Sequence, residues 1–332
     1  MLGYDLLEEY VNDQYYIGCV VGRYANRIST GTITVGSKEY RIHTTEGGYY
    51  LHGGKYGFNK KFWSSEMLAK NTSCGIRLSY LSVDGEEGFP GSLMAEVTYW
   101  LTDQNEVVVE YGASTDETTL INLTQHSYFN LSGHNAGNIL NHDMQIHAPW
   151  YLPVNGMQQV PRGEIAKVEN TPFNFQRSKK IGHDIDNNDI QLELGAGYDH
   201  SWVLEQKHTS ALKLAATVKD ENSGRILRVF TTEPAVHFYS ANFISEGTKG
   251  KSGAVYNRRN SFCLETQHFP DTRNHHHFPS TVLEPNKPFH SKTVFTFSVA
   301  GRCIGDLNSV EFCLVNYAPT LKEITTHDLN IM

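Results

Sequence analysis

Short runs in which apolar and polar residues alternate, broken at close intervals by Gly, Asn and Asp, dominate this sequence, and helical periodicity is scarce. Side chains two apart share one face of a strand, so each such run presents an apolar face that must be covered by another layer. Thr32-Ile-Thr-Val35, Gly36-Ser37 and Lys38-Glu-Tyr-Arg-Ile42 read as a tight hairpin. Residues 75–82 and 94–101 alternate, and a polar turn at Asp103-Gln-Asn105 leads into 107–111. Further strand runs lie at 211–218, 225–230, 236–240, 261–266 and 293–299. This pattern predicts an all-β chain, a large antiparallel β-sandwich. The stretches 132–164 and 171–197 read as long loops without linker composition, so residues 1–300 are expected to form one domain. Residues 301–332 have weak, mixed periodicity and form a tail with no assigned role.

Composition narrows the function. Net charge is −8, and no Lys/Arg block occurs, which argues against nucleic acid and anionic membranes as partners. No apolar run approaches the ~18 residues needed to span a bilayer. The N-terminus lacks the basic and apolar regions of a signal peptide. Cys19, Cys74, Cys263, Cys303 and Cys313 are scattered and odd in number, which favours free thiols in a reducing compartment. A cytoplasmic location is expected, and sequons at Asn71, Asn122 and Asn130 are read as chance.

Two titratable residues stand out. Glu265 lies within the apolar run Phe262-Cys-Leu-Glu265-Thr-Gln-His-Phe-Pro-Asp271, where a carboxylate is costly unless it is paired or functional. His126 lies among aromatics in Gln125-His126-Ser127-Tyr128-Phe129. Unperturbed pKa values of ~4.3 for Glu and ~6.5 for His suit a reaction that removes a proton from one oxygen while adding one to another. Two other signals are discounted. Asp184-Ile-Asp186-Asn-Asn188-Asp189 lacks the Gly and Glu of an EF-hand loop. His275-His-His277 places adjacent rings on opposite faces of an extended chain, which does not suit a metal site.

Five segments, in order, resemble the aldose 1-epimerase (galactose mutarotase) family. They are Gly22-Arg-Tyr-Ala-Asn26-Arg27-Ile, Leu51-His52-Gly-Gly54 with Gly57-Phe58, Asn122-Leu-Thr-Gln-His126-Ser-Tyr-Phe-Asn-Leu-Ser-Gly133, Gly197-Tyr-Asp199-His200 and Cys263-Leu-Glu265-Thr-Gln-His-Phe-Pro-Asp271. The resemblance covers roughly residues 2–300. It implies a β-sandwich with an open sugar cleft. It also implies interconversion of the α and β anomers of galactose, glucose or similar aldoses, with no cofactor and no metal. Glu265 then matches the general base, His126 the general acid, and His52 a second substrate-contacting histidine. Asn26, Arg27 and Asp199 match groups that hold sugar hydroxyls. His237 stands where the family often has Gln, and is expected to donate to a sugar hydroxyl. A monomer or homodimer is expected. The family usually carries more sequence before the first motif, so early strands are expected to be missing, and a shorter tail after residue 300.

Ring opening takes the proton from the C1 hydroxyl and adds one to the ring oxygen, so it needs no nucleophile, metal or redox group. Glu265 is expected to raise the pKa of His126 and keep it protonated. Each residue also has a structural reading: Glu265 as a strand acid paired with an Arg, His126 as a core histidine, His52 and Asn26 as turn residues, Arg27 as a core-edge ion pair, Asp199 as an Asx-turn. Other functions compete. A sugar-phosphate mutarotase would want clustered Arg/Lys. A lectin-like relative would have lost catalysis. A glycosidase would need a second carboxylate across the scissile bond, for which Asp199 is the candidate.

Overall fold

The computed structural model describes residues 1–156, 158–204 and 211–300, so the expectation for 301–332 lies outside the described residues. Two antiparallel sheets form the frame. Their strands, numbered in chain order, are β1 (Ser64–Lys70), β2 (Ser73–Ser82), β3 (Leu93–Thr102), β4 (Glu106–Thr115), β5 (Asp143–Ile146), β6 (Trp150–Leu152), β7 (Ala166–Lys167), β8 (Lys179–Lys180), β9 (Asp199–Val203), β10 (Lys213–Lys219), β11 (Arg225–Thr231), β12 (Ala235–Tyr239), β13 (Cys263–Gln267) and β14 (Phe289–Val299). The large sheet runs β8-β5-β10-β11-β14-β4-β3-β2-β1 and the small one β7-β6-β9-β12-β13. The expected hairpin is present as Thr32–Val35 against Lys38–Arg41.

Alternation decides which face of each sheet is dry. On the large sheet Leu93, Ala95, Val97, Val109, Val229 and Phe295 point inward, and on the small sheet Trp202, Val236, Phe238 and Leu264 meet them in one core cluster. Burying a side chain of this size stabilises by about 1.5–3 kcal/mol. The Trp202 indole donates to the Phe173 carbonyl at 2.9 Å, so it is buried without an orphaned donor. The opposite face of the small sheet carries Asp199, Ser201, His237, Tyr239, Cys263, Glu265 and Gln267. Cross-strand register places Ser201 beside His237 and His237 beside Glu265.

The expected loops hold regular structure. The stretch 132–164 contains β5 and β6, and 171–197 contains β8 and a helix, Ile190–Gly195. These pieces are too short for their periodicity to show, and cross-strand pairing specifies them. The acidic run 184–189 is used internally: Asp184 pairs with Lys179, Asp186 with Arg259, and Asp189 caps the helix through the Gln191 and Leu192 amides.

At its β1 end the large sheet has an open inner face. Met67, Ile76 and Tyr99 lie in register there, as do Ala69, Cys74 and Leu101. Met67 is 61% exposed and Leu101 50%, although both share the face of buried Ala95 and Val97.

Candidate active site

Three segments from distant parts of the chain converge on the polar face of the small sheet. Thr124–Gln125 pairs with Val20–Val21, and the His126 amide donates to the Cys19 carbonyl at 2.9 Å. Thr124 Oγ1 donates to the Thr266 carbonyl at 2.9 Å, tying this segment to β13. Asn122 reinforces the junction. Its amide group donates to the Ala25 and His268 carbonyls at 3.3 Å each, and its Oδ1 accepts from the His268 amide at 3.0 Å. His126 Nε2 thereby lies 3.5 Å from Glu265 Oε1, with both side chains buried. On the other side of the ring, Nδ1 lies 3.4 Å from Cys263 Sγ.

The remaining predicted residues surround this pair. Asn26 and His52 both adopt left-handed backbone, with φ of 64° and 46°. The conformation is uncommon outside Gly and concentrates at functional sites. The two residues clasp each other: the His52 amide donates to the Asn26 carbonyl at 3.1 Å, and the Asn26 amide donates to His52 Nδ1 at 3.3 Å. Gly53 completes this turn with φ of 102°, and a Cβ there would meet the Gly22 carbonyl oxygen at 2.1 Å. The His52 ring lies edge-on to that of His126, with centroids 5.5 Å apart. Donor atoms of His52, His126 and Glu265 all fall within 4.8 Å of one another. Because the backbone amide fills His52 Nδ1, its neutral ring carries the proton on Nε2, which leaves a hydrogen-bond donor rather than a metal ligand.

Arg27 Nη2 donates to Asp199 Oδ2 at 3.0 Å and to Gln159 Oε1 at 2.7 Å. Asp199 Oδ1 is 2.7 Å from His237 Nε2, and His237 Nδ1 is 2.9 Å from Ser201 Oγ. Both ring nitrogens of His237 are therefore occupied within the sheet, so it does not offer the free donor expected from the sequence. Asp199 lies in β9 rather than in an Asx-turn.

Burial sets the protonation states. It pushes the Glu265 carboxyl well above its usual range, with Asp199 adding to the rise and Arg27 opposing it. Burial likewise lowers the His126 pKa to about 4. This overturns the expectation that Glu265 holds His126 protonated: loss of water outweighs attraction between the partners. Burial thus favours the neutral form of each partner, and moving a proton from the carboxyl to the imidazole leaves net charge unchanged. His52 is also held well below the usual histidine range, by burial first and by His126 and Arg27 next. At Asp199 burial opposes ionisation, but Arg27 and the His237 hydrogen bond outweigh it and keep the carboxylate charged.

Several polar atoms here are buried without a hydrogen-bond partner: Glu265 Oε2, Asn26 Nδ2, Arg27 Nε and both polar atoms of Gln267. Each orphaned group costs about 1–3 kcal/mol. A cluster of them on one face fits a ligand rich in hydroxyls. Sequence reasoning missed Gln159, Ser201, Gln267 and the supporting Cys263. Period-two alternation from Glu265 and Asp199 reaches Cys263, Gln267 and Ser201, whereas Gln159 has no local signal.

The sequence matches the aldose 1-epimerase family over residues 1–296. Galactose mutarotase of Bos taurus is 43% identical over 300 residues, covering 90% of this chain and 84% of that protein. Aldose 1-epimerase of Escherichia coli is 34% identical over 299 residues, with the same coverages of 90% and 84%. Among solved structures, an aldose epimerase homologue from C. elegans superposes with a TM-score of 0.79 at 28% identity, covering 90% of this chain and 87% of that one. Galactose 1-epimerase from Lactobacillus acidophilus gives 0.78 at 25% identity, covering 90% and 85%. With the β-sandwich and the clustered motifs in place, this chain belongs to the aldose 1-epimerase family.

Proposed function

We propose that this chain is an isomerase that interconverts the α and β anomers of D-galactose, D-glucose and related aldoses by opening and reclosing the pyranose ring. The observation that carries this reading is the 3.5 Å approach of His126 Nε2 to Glu265 Oε1 in a site ringed by unpartnered polar atoms. Glu265 takes the proton of the C1 hydroxyl and His126 protonates the ring oxygen. The aldehyde then turns about C1–C2, and the roles reverse on closure. Each group is worth ~10²–10⁴ in rate.

Because burial favours the neutral form of both groups, ring opening calls for transfer of a proton from the Glu265 carboxyl to His126. A sugar hydroxyl donating to the carboxylate favours its ionised form and assists that transfer. His52 presents its Nε2 donor to the sugar, and Asn26 Nδ2 and Arg27 Nε offer further donors to hydroxyls. Asp199 accepts from a hydroxyl while anchored by Arg27 and His237. Two competing chemistries fit less well. A glycosidase needs a second carboxyl free to act as acid or nucleophile, whereas Asp199 is held between Arg27 and His237. A phosphorylated sugar needs an uncommitted cation cluster, whereas Arg27 is spent on Asp199 and Gln159.

Polarimetry of freshly dissolved α-D-galactose and α-D-glucose tests the assignment. Faster approach to the equilibrium rotation, with no new product by chromatography, is expected. Unchanged rates with both sugars would refute it.

A further inference from the structure

Ser201, Asp199 and His237 face the cleft from the paired strands β9 and β12, and all three are buried. They form a continuous chain: Ser201 Oγ to His237 Nδ1 at 2.9 Å, His237 Nε2 to Asp199 Oδ1 at 2.7 Å, and Asp199 Oδ2 to Arg27 Nη2 at 3.0 Å. A carboxylate has only acceptors, so His237 must donate to it from Nε2. A neutral imidazole then has an acceptor at Nδ1, and Ser201 must donate its hydroxyl proton there. The carboxylate fixes the tautomer, Ser201 donates to the Nδ1 acceptor this leaves and so holds the ring in place, and Arg27 grips the other oxygen of Asp199.

We infer that Ser201 is a positioning residue for sugar binding, which holds the His237 ring through Nδ1 and so steadies the carboxylate of Asp199 toward the substrate. This rests on the reading of the cleft as a sugar site. It makes His237 a brace for Asp199. Without the hydroxyl, Nε2 keeps its proton but Nδ1 is left a buried acceptor with no partner, and the ring can tilt away from Asp199 Oδ1. Asp199 loses one of its two anchors, while the Glu265–His126 pair is untouched. The loss therefore falls on binding rather than on proton transfer.

The tautomer is read directly by nitrogen-15 NMR of histidine-labelled protein. Wild type should show His237 protonated at Nε2 and hydrogen-bonded at a bare Nδ1, and Ser201→Ala should keep the Nε2 proton but lose the Nδ1 hydrogen-bond shift. In mutarotation assays Ser201→Ala should raise KM for galactose about two- to tenfold, the value of one hydrogen bond, with kcat within twofold. Ser201→Thr, which keeps the hydroxyl, should restore both readouts. Protonation of Nδ1 in the wild-type protein would overturn the inference even if every variant failed to fold, and so would an unchanged KM in Ser201→Ala. A wild-type protein with the expected tautomer but no mutarotation would instead sink the proposed function.

Discussion

Glu265 occupies a position where a carboxyl group costs stability. Its folded pKa is raised by burial, so between its unfolded value near 4.5 and the raised folded value the native state holds a proton that the unfolded chain has released. Stability from this group is complete below about pH 4.5 and declines as pH rises, by up to ~1.4 kcal/mol per pH unit. Glu265→Gln removes that dependence. In calorimetry the melting temperature of the variant should gain on that of the wild type as pH rises above about 4.5. A gap that stays constant as pH rises through this range would show that Glu265 is ionised when folded. At this scale the residue types were legible. A carboxylate beside Phe262, Cys263 and Leu264, and a histidine among aromatics, declare themselves by the expense of burying them. Their protonation was not legible, because it depends on how completely water is removed. The brace on Asp199 was equally hidden, since Ser201 and His237 are 36 residues apart and meet only through strand register.

Among the elements, the segment around Asn122 carries His126 into the site, and its side chain holds three chain segments together. Asn122→Ala leaves two carbonyls and an amide without that partner. It should destabilise the protein by about 1–3 kcal/mol in urea unfolding, with mutarotation falling through misplacement of His126. A variant as stable as wild type would remove Asn122 from this role. Gly53→Ala should be similarly damaging, because the added Cβ overlaps the Gly22 carbonyl oxygen. The long strands announced themselves through alternation. Strands β5 and β6 did not, because runs this short give period two little room to repeat. The first motif conceals a division of labour. Arg27 enters the site, whereas Arg23 turns away and donates to the Ser82, Pro90 and Gly91 carbonyls at 3.0, 3.0 and 2.9 Å. Two arginines four apart look alike in the sequence, and only the fold separates them.

On the scale of the whole molecule, two features follow from the sandwich. The large sheet outruns the small one at β1, which leaves Met67 and Leu101 on an open apolar face. Contiguous faces of this kind bind apolar dyes and promote association. Met67→Lys with Leu101→Lys should lower 1-anilinonaphthalene-8-sulfonate fluorescence and self-association in light scattering, at an unchanged melting temperature. Unchanged fluorescence would mean that the face is covered in solution. The second feature is that the fold brings position 126 to position 265, so that two distant side chains lie 3.5 Å apart in one site. The most direct test is polarimetry of α-D-galactose with Glu265→Gln, His126→Asn and the double variant, each checked for folding by circular dichroism. Groups that act as one unit give non-additive losses. Each single variant should lose ~10²-fold or more, with the double variant little worse than the poorer single. Near wild-type rates in either folded single variant would contradict the account.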